Sequence, residues 1–209
     1  VIPSRAKASV MTASGLDALS QNIEPYLSMR ANPITDALAR EGITRSARSL
    51  RPAVLGAADS GAREDLALAS LCGGLCLANA GLGAVHGFAA PAGGMFAAAH
   101  GAICAALLAP AMDVNLRALR ARAPQHPSVD RFREIAVWLT GKPTASADDG
   151  VTWLDTIRRD LEVPGLARYG LTTAEVPALV EKAKLASSMR GNPIVLTDAE
   201  LTEIAERAR

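Results

Sequence analysis

Residues 80–115, AGLGAVHGFAAPAGGMFAAAHGAICAALLAPAMDVN, carry two of the chain's three histidines, His86 and His100, each followed by a glycine. On one straight helix, 14 residues would separate them by roughly 21 Å, too far to share a small ligand. Between them stand Pro91, Ala92, Gly93 and Gly94. These breakers predict a helix ending near Ala90 and a second one starting near His100, folded back so that the imidazoles converge. Taken alone, the same stretch also fits two hydrogen-bonded core histidines.

The surrounding composition points to helices packed through small side chains. The chain has 209 residues, enough for one large domain or two small ones, with only 3% aromatic residues and abundant Ala and Gly. Lys plus Arg number 22 and Asp plus Glu 21, a net charge of +1 that attracts neither nucleic acid nor an anionic membrane. Between Asp65 and Asp113 no charged side chain occurs for 47 residues. That run is rich in Ala and Gly and is broken by Asn79, His86, Pro91, His100 and Pro110, so a buried helix pair explains it better than a membrane span. Cys72, Cys76 and Cys104 are odd in number and sit in apolar sequence, which reads as buried reduced thiols and a cytoplasmic setting. The chain opens on VIPSR without Met and with no signal pattern, which reads as part of something longer.

Outward from the histidines, Leu16, Leu19, Ile23 and Leu27 have near-helical spacing, and Pro25 is expected to kink or shorten that helix. Asp17 and Gln21, four apart, occupy one face of it. Asn32-Pro33 reads as a cap and first helical residue, opening an amphipathic helix that ends before a loop at residues 52–60. Residues 63–88 form one or two helices that lose their charge after Asp65. His126, between prolines in the arginine-rich residues 116–127, has no assigned function. A helix over residues 129–139, a loop over 141–150 and a helix presenting Trp153, Leu154, Ile157 and Leu161 follow. Thr172 with Glu175, and Thr197 with Glu200, match the capping-box spacing and start two more helices. No alternating run demands a sheet, so the fold class is all-α, a multi-helix bundle of about eight or nine helices.

With Asp17, Gln21, His86 and His100 in place, the chain resembles the C-terminal helical domain of the iron-containing alcohol dehydrogenases. GLDALSQNIEPYLS is similar to that family's metal-binding first helix, ANPITDALAREGI to the helix after it, and residues 81–115 to its signature region. Residues 163–171 continue the likeness weakly, and SSMRGNPIVLTDAEL is similar to the closing Asn-Pro segment, so nearly all 209 residues are covered. Within the superfamily, Gly93-Gly94-Met95-Phe96 is also similar to maleylacetate reductases.

The resemblance implies a divalent metal, iron or zinc, held by Asp17, His86 and His100, which serves an alcohol or carbonyl substrate beside the nicotinamide of NAD or NADP. Carboxylate and imidazole donors suit such ions chemically. Two positions depart from the family pattern. Gln21 stands where a ligand histidine is expected and coordinates more weakly, and Ala90 stands where many members carry a second histidine credited with proton relay. The catalytic residues are therefore left unassigned. No glycine-rich dinucleotide fingerprint follows a strand, so the nicotinamide is expected on an α/β domain absent from these residues.

The function expected is half of an oxidoreductase interconverting an alcohol with an aldehyde or ketone. The alternative is a degenerate, metal-free module of the same family with an assembly or regulatory role. Expected partners are the small-molecule substrate and, as an open assembly, a second copy of the chain, with no nucleic acid and no membrane.

Overall fold

The computed structural model describes residues 7–56 and 60–209, and among these there are nine α-helices, short 3-10 turns and no strand. The helices are α1 (Ala8–Leu27), α2 (Pro33–Val54), α3 (Ser60–Ala80), α4 (Ala84–Met95), α5 (His100–Arg122), α6 (Ser128–Thr140), α7 (Ala147–Asp160), α8 (Val176–Leu185) and α9 (Asp198–Ala208). The all-helical expectation therefore holds. The amino-terminal VIPSR and residues 57–59 of the expected loop lie outside the described residues.

Two helices organise the interior. α1 packs on α2, α3 and α5, burying Leu16, Leu19, Ile23 and Leu27 completely, while α5 packs on α1, α4, α7 and α9. Among the described residues one helix, α5, is long and apolar enough to cross a membrane, but 89% of its apolar window is buried against its neighbours. The lack of charge in its first half, up to Met112, is thus the lack of charge in a core, where an unpaired ion is costly.

Local chemistry sets several helix ends. The Asn32 side chain accepts from the amides of Ile34 and Thr35, both at 3.2 Å, and Pro33 fills the first helical position. Capping boxes form at Thr172 with Glu175 and at Thr197 with Glu200. A further box, Ser146 with Asp149, starts α7 inside the stretch expected to be loop, because Asp at the third position reaches back as Glu does. α6 stops at Gly141, whose φ of 69° lies in the left-handed region that glycine enters without strain.

Two prolines were expected to end helices and do not. α2 runs through Pro52 to Val54, and α4 runs through Pro91, Gly93 and Gly94 to Met95. Each proline forfeits one intrahelical hydrogen bond, but Leu50 and Ala53 beside the first, and Ala89 and Ala92 beside the second, are buried. Burial of the apolar face outweighs the single lost bond. The reversal before α5 is made instead by residues 96–99.

The last charge before the uncharged run anchors α3 to α2. Asp65 accepts from Arg45 Nη1 (2.6 Å), Arg48 Nε (2.6 Å), Arg48 Nη2 (2.7 Å) and Ser49 Oγ (2.6 Å). The Arg48 hydrogen bond, opposed by burial and assisted by Ser49 and Arg45, holds its carboxyl well below the usual carboxylate range. Because the folded value is depressed, this stabilisation is complete above the unfolded Asp value of about 3.9 and is lost as pH falls below it. Asp65→Asn is expected to cost about 1–3 kcal/mol at neutral pH and to flatten the acid limb of a melting-temperature against pH series. Parallel acid limbs for the two proteins would remove Asp65 from that role.

Candidate metal centre

The centre forms where α1, α4 and α5 meet. α3 ends at Ala80, Gly81 turns the chain at φ 73°, and α4 leaves at 98° to α3. That corner brings His86 over the middle of α1. The link at residues 96–99 then returns the chain so that His100 opens α5. α5 sits unusually close to α1 there: a Cβ on Gly101 would stand 2.7 Å from the Ala13 carbonyl oxygen, so only glycine permits the approach.

The two imidazoles converge as expected, though through the link at residues 96–99 and not through the breakers, with ring centroids 5.5 Å apart. His86 Nε2 is 3.2 Å from Asp17 Oδ1, and His100 Nε2 is 3.9 Å from the same oxygen. Cys104, one turn beyond His100 on α5, places its Sγ 3.5 Å from His100 Nε2 and 3.8 Å from His86 Nε2. One donor atom from each of Asp17, His86, His100 and Cys104 thus lies within 4.8 Å of every other. Gln21 is half-buried one turn along α1 from Asp17, its Cβ against Gly73 of α3, and no hydrogen bond among the described residues engages its amide.

Behind His86 stands Glu24, only 2% exposed, on the face of α1 two turns past Asp17. Its carboxylate accepts from the Val85 amide and faces His86 Nδ1, both at 2.6 Å. A carboxylate at the first turn of α4 is also favoured by the helix dipole. Asn192, from the Asn-Pro segment, accepts from the Ala84 amide at 3.1 Å and donates to Asn115 Oδ1 at 2.6 Å, so the start of α4 is held from α1, α5 and the C-terminal segment together. A Cβ on Gly83 would meet Asn192 Oδ1 at 2.9 Å and Glu24 Oε1 at 3.0 Å, which is why that position carries none.

The electrostatics follow from this packing. Burial works to lower the His86 pKa, but the hydrogen bonds to Asp17, Cys104 and Glu24 push it up to about 12. Burial works to raise Asp17, yet His86 and His100 bring it below its ordinary value. Burial pushes the Cys104 thiol up to about 11 against the pull of His86. His100 is 52% exposed at its side chain and marks the open side of the cluster.

Of the residues singled out in the sequence, Asp17, His86 and His100 are brought together, and His126 is remote, its Nδ1 accepting from the Ser128 amide in the turn before α6. Ala90 is exposed near the C-terminal half of α4 and carries no polar atom toward the cluster. Two members went unassigned. Cys104 was read as a core thiol, although its four-residue spacing from His100 signals a shared face; Glu24 had the seven-residue spacing from Asp17 but no visible partner.

A carboxylate, two imidazoles and a thiol converging at the edge of a helical core have the donor chemistry of a divalent transition-metal site. The helical domain that holds this cluster is matched by known proteins. The chain belongs to the Fe-containing alcohol dehydrogenase family, whose C-terminal part matches residues 11–209. It is 33% identical over 207 residues to the 1,3-propanediol dehydrogenase of Klebsiella pneumoniae, covering 96% of this chain and 51% of that protein. Over a shorter span, 99 residues, it is 46% identical to long-chain-alcohol dehydrogenase 1 of Geobacillus thermodenitrificans, which covers 47% of this chain and 25% of that protein. The crystal structure of a 1,3-propanediol oxidoreductase superposes with a TM-score of 0.88 at 31% identity, over 98% of this chain and 53% of the other. Maleylacetate reductase from a Rhizobium shares the fold with a TM-score of 0.79 at 21% identity, over 96% of this chain and 53% of that one. The chain therefore spans about half the length of the relatives it matches.

Proposed function

We propose that these residues form the metal-holding and substrate-facing half of an oxidoreductase that interconverts an alcohol with an aldehyde or ketone, using NAD or NADP bound mainly by a domain outside this chain. The observation that carries the reading is the convergence of Asp17, His86 and His100 from three helices onto one point. Membership of a family of alcohol dehydrogenases supports the reaction class. Cytoplasmic residence, with three free buried thiols, belongs to the same reading, as does a small-molecule partner with no nucleic acid and no membrane.

Asp17, His86 and His100 would hold the ion, with Gln21 the weakest donor of the expected set. A bound iron or zinc ion supplies Lewis acidity toward the substrate oxygen. The chain's own residues supply the rest. Glu24 accepts a hydrogen bond from His86 Nδ1–H, so the proton that an ion would displace is the one on Nε2, the atom that faces the cluster. On its inner side the cluster adjoins the buried core of α1, α4 and α5, where His86 is 5% exposed and Cys104 fully buried. The exposed flank at His100 is where substrate and cofactor approach. Ala90 has no titratable atom, so position 90 supplies no imidazole for a proton relay.

The test is metal analysis of the chain purified without chelator, followed by reconstitution with iron(II) or zinc. About one equivalent per chain is expected, and failure to bind either ion stoichiometrically would favour the metal-free assembly or regulatory role instead.

A further inference from the structure

One donor in the cluster has no place in the expected ligand set. Cys104 is fully buried and projects from α5 on the same face as His100, one turn away. Its sulfur faces both imidazole Nε2 atoms, at 3.5 and 3.8 Å, and Asp17 offers a carboxylate oxygen within 4.8 Å of the same sulfur. These separations are those of ligands around one ion. With metal–sulfur bonds near 2.3 Å and metal–nitrogen bonds near 2.0–2.1 Å, tetrahedral geometry sets sulfur and nitrogen ligands about 3.6 Å apart, and nitrogen and oxygen ligands about 3.4 Å apart. Asp17 Oδ1 stands 3.2 Å from His86 Nε2 and 3.9 Å from His100 Nε2, on either side of that value. A thiol placed only to fill the core needs no such relation to three other donors.

We propose that Cys104 is the fourth strong protein ligand of the centre, supplying through α5 the donor that α1, with Gln21, does not. The inference rests on the metal-holding function proposed above. On binding, a bond forms between Sγ and the ion and the thiol proton is released to solvent. The resulting carboxylate, two imidazoles and thiolate make a softer site than carboxylate and imidazoles alone, and thiolate ligands favour zinc among the ions in question. The site should therefore discriminate for zinc against iron(II), and Cys104 should carry that discrimination.

Cobalt(II) titrated into the whole chain reports the ligand directly, because a coordinated thiolate produces a sulfur-to-cobalt charge-transfer band in the near ultraviolet that carboxylate and imidazole do not. The expected result is one equivalent of cobalt with that band, and loss of the band in Cys104→Ser and in Cys104→Ala. By competition with a chromophoric chelator, both variants should lose at least about tenfold in zinc affinity, or 1.4 kcal/mol, and less in iron(II) affinity. Unchanged far-ultraviolet dichroism in either variant separates ligand loss from misfolding. Stoichiometric cobalt without the band would overturn the role of Cys104 and leave the metal-holding function standing. No stoichiometric cobalt in the wild type would overturn both.

Discussion

Glu24→Gln is expected to leave the fold intact while lowering divalent-metal affinity by about 10–100-fold, the loss typical when a partner behind a ligand histidine is changed. The reason is a count of donors and acceptors. Glu24 is surrounded by two groups that need an acceptor, the Val85 amide and His86 Nδ1, each at 2.6 Å. A carboxylate serves both. Glutamine has one acceptor oxygen and one donor nitrogen. If the oxygen stays with Val85, the amide nitrogen faces Nδ1 and stabilises the tautomer with its proton on Nε2, the atom that a metal needs bare. Glu24→Ala is a harsher change. It leaves His86 buried beside an empty site and the Val85 amide without a partner, and removal of one member of a buried pair costs about 3–5 kcal/mol. Thermal melts with chelator present measure the structural cost, and chelator competition measures the affinity. Equal metal affinity in wild type and Glu24→Gln would show that this carboxylate does not set the ring's tautomer.

The contrast between the residues found and missed in the sequence has a physical basis. Where a helix begins is decided within four residues, so Asn32-Pro33 and the threonine capping boxes were legible. Where a helix ends at a proline is decided by what its face buries, so Pro52 and Pro91 misled. His86 and His100 stood out because polar groups are rare in the uncharged run between Asp65 and Asp113, and Asp17 through its helical spacing from Gln21 and the family likeness. Cys104 did not stand out, since a thiol in an Ala-rich helix is indistinguishable from packing until its neighbours across the helix interface are known. Glu24 was hidden for a different reason. Its partners arise from the Gly81 corner and the 98° bend between α3 and α4, and that angle is set by contacts with residues far away in sequence, among them Asn115 and Asn192.

Asp17→Ala is expected to reduce metal affinity by more than about 100-fold, beyond the range for outer partners, whereas Gln21→Ala should cost less than about tenfold, or 1.4 kcal/mol. Both residues lie on one face of α1, so burial and helix propensity alone do not separate them. Charge does. Asp17 brings a formal negative charge within 3.2 Å of His86 and 3.9 Å of His100, and a dication gains far more from that oxygen than from a neutral amide. Removing it also leaves the cluster with a single anionic donor, the Cys104 thiolate, which a buried thiol yields reluctantly. Gln21 sits with its Cβ against Gly73 of α3, and an imidazole is a stronger donor than an amide toward such ions, so Gln21→His should bind more tightly than wild type. Chelator competition on the three variants orders them as histidine above glutamine, alanine at 21 slightly below, and alanine at 17 far below. Comparable losses for Asp17→Ala and Gln21→Ala would place the ion away from Asp17, and the three-helix junction would then be a packing cluster in which the histidines serve only each other and Glu24.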